Sequence, residues 1–403
     1  MLKFRRTQPL PIALDVGNDS VKMLQLAATP GGLRVSAAAK IAVGESSDGN
    51  GRDGVPRIAA TLQRMLEQAP FAGRNVVASL PQSLIHLRTL RLAQRPDSDL
   101  PAAVRASAAE MFPFDLSRAA VRFLDAGLVR QGADERREII AAAACDQDVS
   151  AFLAELHDAG LHALSLQPAP CATYRCLELF PGGPEPEGDV VVRALIDVGA
   201  THTTVVIGRD AEISFIKSLD IGGRRLSEAV SRKLGITFEE ASQLRRRLAS
   251  MPVSSGPRRD PVAGAAFDAT RALLEELAHD VALCFRYHAV TFRGKRVGSV
   301  TLFGGEAGDR HLRTALAGVL PVSPDVGRPI LTIDASAMKP ADRDSASGEW
   351  AVAMGLALGA APSAVKVALA ASGSAPIQNN HRPSAELVGA AAATRTLAES
   401  LTE

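Results

Sequence analysis

The chain has few cysteines and no excess of charge of either sign. Its cysteines show no C-x-x-C pair and no dense spacing, which excludes a disulfide-rich secreted scaffold and favours a reducing cytoplasm. We expect all four to be small buried side chains: Cys145, Cys171, Cys176 and Cys284. Lys and Arg number 45 and Asp and Glu number 44, so the net charge of +1 creates no field that would hold nucleic acid or an acidic lipid surface. A dedicated nucleic-acid-binding protein is therefore disfavoured.

Long apolar runs are also missing. The longest, such as Ala351 to Ala361, fall well short of the roughly 20 residues that cross a bilayer. Asp15 interrupts the apolar segment that follows the basic N-terminus, so we expect neither a membrane helix nor a secretory signal. Apolar residues nevertheless make up 46% of the 403 residues, which is more than one ordinary core requires. The composition predicts two or three packed units.

One segment of the chain occurs twice. ALDVGNDSVKM at 13–23 recurs as LIDVGATHTTV at 195–205, a repeat distance of 182 residues from Asp15 to Asp197. Each copy predicts an apolar strand that ends in Asp-Val-Gly, a short polar turn with Ser or Thr, and a second apolar strand. Glycine permits the turn and lets backbone N–H groups approach an anion, and an Asp beside that anion can hold Mg²⁺ directly or through water. An ordinary hairpin turn would explain one copy, but two copies at matching positions favour a pair of phosphate-binding hairpins.

A third element supports the pair. An apolar strand at 299–303 leads into Gly304-Gly305-Glu306-Ala307, which opens a helix predicted over 309–319. Small residues at such a junction let a planar base or a ribose lie against the backbone, and a helix N-terminus favours negative charge. We therefore expect this junction to border a nucleoside.

These motifs together resemble the superfamily of actin, the heat-shock chaperone ATPases and the sugar kinases. Within it the chain is most similar to the PilM branch, inner-membrane platform proteins of the type IV pilus that are related to the cell-division protein FtsA. The resemblance implies an α/β, actin-like two-lobed ATPase fold with duplicated phosphate-binding hairpins and a small inserted α+β subdomain. It rests on LDVGNDSVKMLQL (14–26), VVASLPQSLIHLRTLRL (76–92), FPFDLSRA (112–119), DAGL (158–161), IDVGATHTTVVI (196–207), IGGRRLSEAV (221–230), LFGGEA (302–307) and AVAMGLALG (351–359).

The domain boundaries expected from this resemblance follow the pattern of predicted elements. Residues 84–162 read as an inserted β-α-β-β-α subdomain that binds a partner. The tail at 362–403 is poor in large apolar residues, so we expect it to be disordered. The segment FPGGPEPEG at 180–188 is read as a connection between lobes or a surface loop. The predicted lobes are lobe I over 9–83, 163–185 and 340–361, and lobe II over 186–339.

The resemblance also implies the ligands and their residues: ATP with Mg²⁺, for which Asp15 and Asp197 are the expected metal residues. The first phosphate loop would contain Asp15, Gly17, Asn18, Ser20 and Lys22, and the second Asp197, Gly199, Thr201 and Thr203. The ribose and adenine would be bordered by Gly222, Gly223, Gly304, Gly305, Glu306 and Arg245. Relatives often carry A-E-x-x-K on the helix near the adenine. Here the segment reads Ala241-Ser242-Gln243-Leu244-Arg245, so the acidic residue is missing and Arg245 stands in place of the lysine.

Gln167 is the candidate residue for positioning a water molecule. It lies in the segment Leu166-Gln167-Pro168-Ala169-Pro170, where a hydrolytically stronger relative would carry a carboxylate. A glutamine can orient a water molecule but cannot accept its proton. We therefore expect at most a slow ATPase, and the missing base weighs against phosphoryl transfer to a small molecule.

The function that the resemblance implies is a cytoplasmic ATP-binding scaffold of the pilus, or of a related secretion platform, at the inner membrane. Its expected partner is the N-terminal peptide of a bitopic PilN-like protein, which would hold the chain at the membrane indirectly. The peptide would be received beside the inserted subdomain, near 76–92 and 112–114. Self-association is left open. The alternatives are a sugar-type kinase of the same superfamily, and an FtsA-like or secretion scaffold without nucleotide binding.

Overall fold

The structure, a computed structural model, describes residues 8–29, 32–43, 55–179, 191–250, 261–292, 296–343 and 348–361. Contacts between Cα atoms divide the chain into two units: residues 1–181, 329–343 and 352–403, and residues 182–328 and 344–351. The predicted loop at 180–188 and the predicted tail at 362–403 lie outside the described residues.

The first unit is built on a mixed sheet. Its elements in chain order are β1 (Gln8–Val16), β2 (Ser20–Thr29), β3 (Gly32–Ala42), α1 (Ala59–Gln68), β4 (Asn75–Leu80), β5 (His86–Ala93), α2 (Leu100–Ala108), β6 (Ala119–Gln131), β7 (Asp134–Cys145), α3 (Asp146–Asp158), β8 (His162–Pro168) and α4 (Ala169–Arg175). Five strands form one sheet in the order β3-β2-β1-β4-β8. β1, β2 and β3 are antiparallel neighbours, whereas β4 runs parallel to β1 and β8 parallel to β4. Nearly every residue of β2 is buried, as expected for a strand that is covered on both faces.

The second unit repeats this arrangement. Its elements are β9 (Val192–Val198), β10 (Thr203–Arg209), β11 (Glu212–Leu219), α5 (Gly223–Leu234), α6 (Phe238–Ser250), α7 (Pro261–Thr291), β12 (Val297–Phe303), α8 (Arg310–Ala317) and β13 (Asp325–Val326), and the chain continues with α9 (Pro340–Arg343) and α10 (Ala351–Gly359). The strand order is β11-β10-β9-β12-β13, with antiparallel pairing up to β9 and parallel pairing beyond it. The repeated sequence segments therefore form the same hairpin at the same place in two sheets of like topology.

The inserted segment forms a separate three-stranded sheet in the order β5-β7-β6. With α2 it encloses its own apolar core, which includes Leu92, Val104 and Ile139. The expected insert also contains α3, but Phe152 and Leu156 of that helix pack into the core of the five-stranded sheet. The independent core of the insert thus comes from β5, α2, β6 and β7.

Within the described residues, the contact-based division differs from the expected lobe boundaries at 329–339 and at 348–351. Residues 329–343 group with the first unit, where the Val35 amide of β3 donates to the carbonyl oxygen of Asp334 at 2.8 Å. Residues 344–351 group with the second unit, where Gly348 pairs with Gly304. Each segment is thus joined to its unit by a backbone pairing with a distant residue, which the composition of the segment does not reveal.

Candidate functional site

The two hairpin turns have the same internal geometry. The Gly17 amide donates to the carbonyl oxygen of Ser20 at 3.1 Å, and the Gly199 amide donates to that of His202 at 2.9 Å. A Cβ atom added at Gly17 or Gly199 would lie 3.1 or 3.2 Å from the same acceptor, which is tighter than ordinary contact. Both turns therefore require a small residue at the position where the sequence repeats Asp-Val-Gly.

The first hairpin holds a buried ion pair. Asp15 and Lys22 are cross-strand partners, and the Lys22 Nζ lies 3.3 Å from the Asp15 Oδ2. The Ser79 hydroxyl on β4 lies 3.5 Å from the other carboxylate oxygen. Ser20, two residues before Lys22 in the sequence, is buried, whereas Asn18 in the turn is exposed. At the equivalent position of the second hairpin Asp197 pairs with Thr204, so this lysine belongs to the first copy alone.

Gln167 lies in line with these residues. It is the register partner of Ser79 across β4 and β8, so Asp15, Ser79 and Gln167 mark the carboxyl ends of three neighbouring strands. The Gln167 Oε1 accepts a hydrogen bond from the Arg175 Nη1 at 3.2 Å, and the same nitrogen donates to the Gly355 carbonyl oxygen at 2.7 Å. Because the guanidinium has no acceptor, this contact fixes which end of the Gln167 amide faces Arg175.

Sequence reasoning missed Ser79 and Arg175. Ser79 is a polar residue at the end of the apolar run of β4, which is a signal that could have suggested it. Arg175 follows Gln167 by eight residues, in a segment for which no helix was predicted.

The second hairpin packs against the start of α5. The amide of Gly223 donates to the Gly199 carbonyl oxygen at 3.0 Å, and that of Arg224 donates to the Ala200 carbonyl oxygen at 2.6 Å. A Cβ atom at Gly222 would lie 2.6 Å from the carbonyl carbon of Thr201, so only glycine fits between the turn and the helix. Backbone hydrogen bonds therefore join the turn directly to the helix N-terminus.

The hydroxyls of Thr201 and Thr203 both contact other groups of the chain. Thr203 is fully buried, and its hydroxyl donates to the Ile221 carbonyl oxygen at 2.6 Å, which ties the hairpin to the loop before α5. The Thr201 hydroxyl lies 2.7 Å from the His202 Nδ1 at the half-buried tip. Of the two predicted hydroxyl donors, Thr201 is the one near the surface of the turn.

The predicted adenosine loop lies on the same hairpin. The Glu306 amide donates to the Val198 carbonyl oxygen at 3.2 Å. Gly304 has φ +93°, in the left-handed region that favours glycine, and a Cβ atom there would lie 2.5 Å from the Asp197 Oδ1. The structure thus brings Asp197, Gly199 and the loop at 304–306 together within the second unit.

Arg245 joins this cluster from α6. Its Nη1 donates to the Gly223 carbonyl oxygen at 3.0 Å and to the Ser227 hydroxyl at 3.1 Å. Its Nη2 lies 2.5 Å from the Glu306 Oε2 and 3.6 Å from the Asp309 Oδ2. The guanidinium is buried and surrounded by acceptors, so it fastens the adenosine loop to α5 and α6.

The carboxylates fit a Mg²⁺ ion that arrives with a nucleotide. Such an ion is commonly held through one or two carboxylates, with phosphate and water oxygens completing its octahedron. Asp15 and Asp197 each stand at the carboxyl end of a strand, beside a glycine turn. Within the described ranges, no group of three or more His, Cys, Asp or Glu side chains is placed to hold a metal ion by itself. Each hairpin thus offers one carboxylate of the kind that Mg²⁺ binds.

Solved structures resemble this chain to different degrees. The PilM-PilN type IV pilus biogenesis complex aligns with a TM-score of 0.70 and 23% identity, over 87% of this chain and 99% of that one. The ethanolamine utilization protein EutJ from Carboxydothermus hydrogenoformans has a TM-score of 0.49 and 13% identity, over 87% and 89%. An archaeal actin homologue has a TM-score of 0.41 and 17% identity, over 87% and 99%.

The family follows from the sequence. The profile of a family described as type IV pilus assembly protein PilM matches residues 13–361, which is most of the chain. The predicted actin-like α/β fold and the predicted resemblance are both confirmed. In the part of the chain that the structure describes, no helix is both long and apolar enough to cross a bilayer. The chain belongs to the PilM family of type IV pilus assembly proteins.

Proposed function

We propose that the chain is an ATP-binding scaffold of the type IV pilus inner-membrane platform, held at the cytoplasmic face of the membrane by the N-terminal peptide of a bitopic PilN-like protein. Membership of the PilM family supports the pilus role. The partner is suggested by the complex that shares the fold, which contains PilM and PilN.

The observation that carries nucleotide binding is the duplicated hairpin. Both copies end a central strand with Asp-Val-Gly, and both close the turn with the same glycine hydrogen bond. Ligands of open α/β sheets bind at the carboxyl ends of the strands, where both turns lie. In the second unit this turn also meets the adenosine loop and the start of α5, so phosphate and nucleoside contacts would be neighbours.

Mg²⁺, which Asp15 and Asp197 would hold, supplies charge neutralisation for the phosphates when it is bound. Lys22 is the cation of the first hairpin, and a phosphate there would share it with the Asp15 carboxylate to which it is paired. Gln167 donates and accepts hydrogen bonds but takes up no proton, and its oxygen is already bonded to Arg175. We therefore propose slow turnover at most.

The test of nucleotide binding uses one variant in each hairpin, Gly17→Val and Gly199→Val. Each added side chain would meet the carbonyl oxygen that closes the turn, so both variants should lose ATP binding. The matched control is Gly318→Val, because a Cβ atom there makes only ordinary contacts of 3.5 Å. If a folded Gly199→Val variant, checked by circular dichroism, keeps the affinity of the unmodified chain, the second hairpin does not bind ATP.

The partner peptide has a suitable surface on the insert. One face of the three-stranded sheet is covered by α2. On the other face, Thr89, Ile140 and Leu124 lie side by side across the three strands. Ala144 of the same face packs into the core of the five-stranded sheet, whereas Thr89 is exposed and Leu124 half-buried. Beside these residues the same face carries the Arg91–Glu138 ion pair, so an extended peptide with apolar and polar side chains could lie along it.

A charge placed on this face should release the partner. We expect Leu124→Glu to abolish capture of a synthetic N-terminal peptide of a PilN-like protein. Leu128→Glu is the matched control, since Leu128 lies on the same strand beyond its bulge, pairs with Arg137 and is 49% exposed. Equal capture by both variants would place the peptide elsewhere.

A further inference from the structure

His202 is a half-buried histidine in the turn of the second hairpin, and the family resemblance implies no role for it. Its carbonyl oxygen accepts from the Gly199 amide at 2.9 Å. In the first hairpin the Ser20 carbonyl oxygen accepts the same bond from the Gly17 amide, so His202 and Ser20 occupy one position of the repeated turn. Ser20 is buried, whereas the His202 side chain is 34% exposed and can meet a ligand that comes to the turn.

The imidazole ring has one nitrogen engaged in the turn and one that faces a solvated group. The His202 Nδ1 lies 2.7 Å from the Thr201 hydroxyl, which can accept from it or donate to it. The Nε2 lies 3.6 Å from the Asp220 Oδ1, which is longer than a hydrogen bond. The Asp220 side chain is 92% exposed, so this carboxylate is solvated and does not enclose the ring. A protonated His202 would therefore present an N–H donor at Nε2 to a ligand.

Other charged groups reach this turn from the elements packed around it. At the start of α5, the Arg225 Nη1 donates to a backbone carbonyl oxygen of the preceding loop at 3.0 Å. The Arg224 guanidinium lies 5.5 Å from the centre of an aromatic ring on α6. Two carboxylates come from other strands: Asp197 lies in β9, and Glu306, after β12, is paired with Arg245. Within the turn itself, from 199 to 202, His202 is the titratable residue.

The two hairpins differ in their cations. In the first, Lys22 lies across from Asp15. In the second, Thr204 lies across from Asp197, so this copy carries no lysine at that position. We propose that His202 supplies the positive charge of the second hairpin and donates from Nε2 to a phosphate oxygen of the bound nucleotide. The inference rests on the proposed ATP binding and adds that this binding strengthens as the pH falls, because histidine gains its charge between about pH 8 and pH 5.

The test measures the affinity of the full chain for ATP with Mg²⁺ at about pH 6.5 and about pH 8 by titration calorimetry. Phosphate groups also take up protons near the lower pH, so the effect is read as the difference between the unmodified chain and His202→Gln, whose amide carries no charge. Losing a hydrogen bond from a charged group weakens binding by roughly tenfold to a hundredfold. Because the ring is only partly charged at the lower pH, we expect the unmodified chain to gain several-fold to tenfold more affinity than His202→Gln between the two pH values.

His202→Lys keeps its charge at both pH values, so it should bind ATP more tightly than His202→Gln at about pH 8. The matched control is His279→Gln, at an exposed histidine of α7, which should keep the pH dependence of the unmodified chain. A histidine that only shapes the turn would give His202→Gln the same pH dependence as the unmodified chain, and that result would overturn this inference alone. Failure of the folded, unmodified chain to bind ATP at either pH would overturn the proposed function with it.

Discussion

Replacing Gly222 by alanine should pull the second hairpin away from α5. Gly222 has φ −152° and ψ −175°, an extended conformation that alanine also adopts, so the backbone itself is not strained by the change. The added Cβ atom would lie 2.6 Å from the Thr201 carbonyl carbon and 2.8 Å from the carbonyl carbon and oxygen of Ala200. These are main-chain atoms of the turn, so no side-chain rotation can relieve the contact.

The expected loss of stability in Gly222→Ala is the sum of three effects. Overpacking of this kind costs about 1–3 kcal/mol. Separating the turn from the helix also weakens the hydrogen bonds donated by the amides of Gly223 and Arg224, which contribute about 1 kcal/mol each. Alanine also lowers the conformational entropy of the unfolded chain, which stabilises the folded chain by roughly 0.4–1 kcal/mol. We expect a net loss of about 2–4 kcal/mol in the second unit.

Hydrogen exchange is the appropriate assay because it reports on each amide separately. The amides of Gly223 and Arg224 should exchange faster in Gly222→Ala, and the melting temperature should fall. Gly305→Ala is the control for stability, since a Cβ atom at this glycine of the same cluster meets nothing within 4 Å. Unchanged protection and melting in Gly222→Ala would refute the close packing of turn and helix.

Three further outcomes are expected. Glu155 on α3 caps α1 by accepting from the amides at its start at 2.8 and 3.0 Å, so Glu155→Gln should lower the free energy of unfolding in urea by about 1 kcal/mol, while Glu67→Gln at an exposed position of α1 should change it by less than about 0.5 kcal/mol. Burial lowers the pKa of His86 and of His311 below the ordinary pKa of a histidine, so the unfolded chain binds protons more readily. The free energy of unfolding should be highest above the ordinary histidine pKa and should decline as the pH falls below it, which melting curves should show and a His86→Gln/His311→Gln variant should flatten. Burial also raises the pKa of the Cys171 thiol to about 11, so it should react with a thiol reagent at neutral pH only after unfolding, and fast reaction in the folded chain would contradict its burial.

The duplicated hairpins could be predicted because their signal is local. Asp-Val-Gly with an apolar strand on each side fixes strand, turn and register within about a dozen residues, and the structure has the same pairing in both copies. β3 was not predicted, although Leu33, Val35, Ala37 and Ala39 alternate with less buried positions in the way a strand requires.

The partners of Arg245 could not be predicted from the sequence. Its contacts reach Gly223 on one side and Glu306, 61 residues away, on the other, and they depend on how α5, α6 and the adenosine loop pack. The family resemblance implied that all three residues border a nucleoside, and the structure adds that Arg245 contacts both Gly223 and Glu306. The packing of α3 on the five-stranded sheet is likewise set by distant side chains rather than by local pattern.

Nucleotide binding is measured most directly by titration calorimetry of the purified full chain with ATP in the presence of Mg²⁺. We expect saturable binding of about one nucleotide per chain, which the same titration of Gly17→Val or Gly199→Val should lack. The absence of saturable binding to the folded chain at about 1 mM ATP, the weak end of specific affinity, would contradict it.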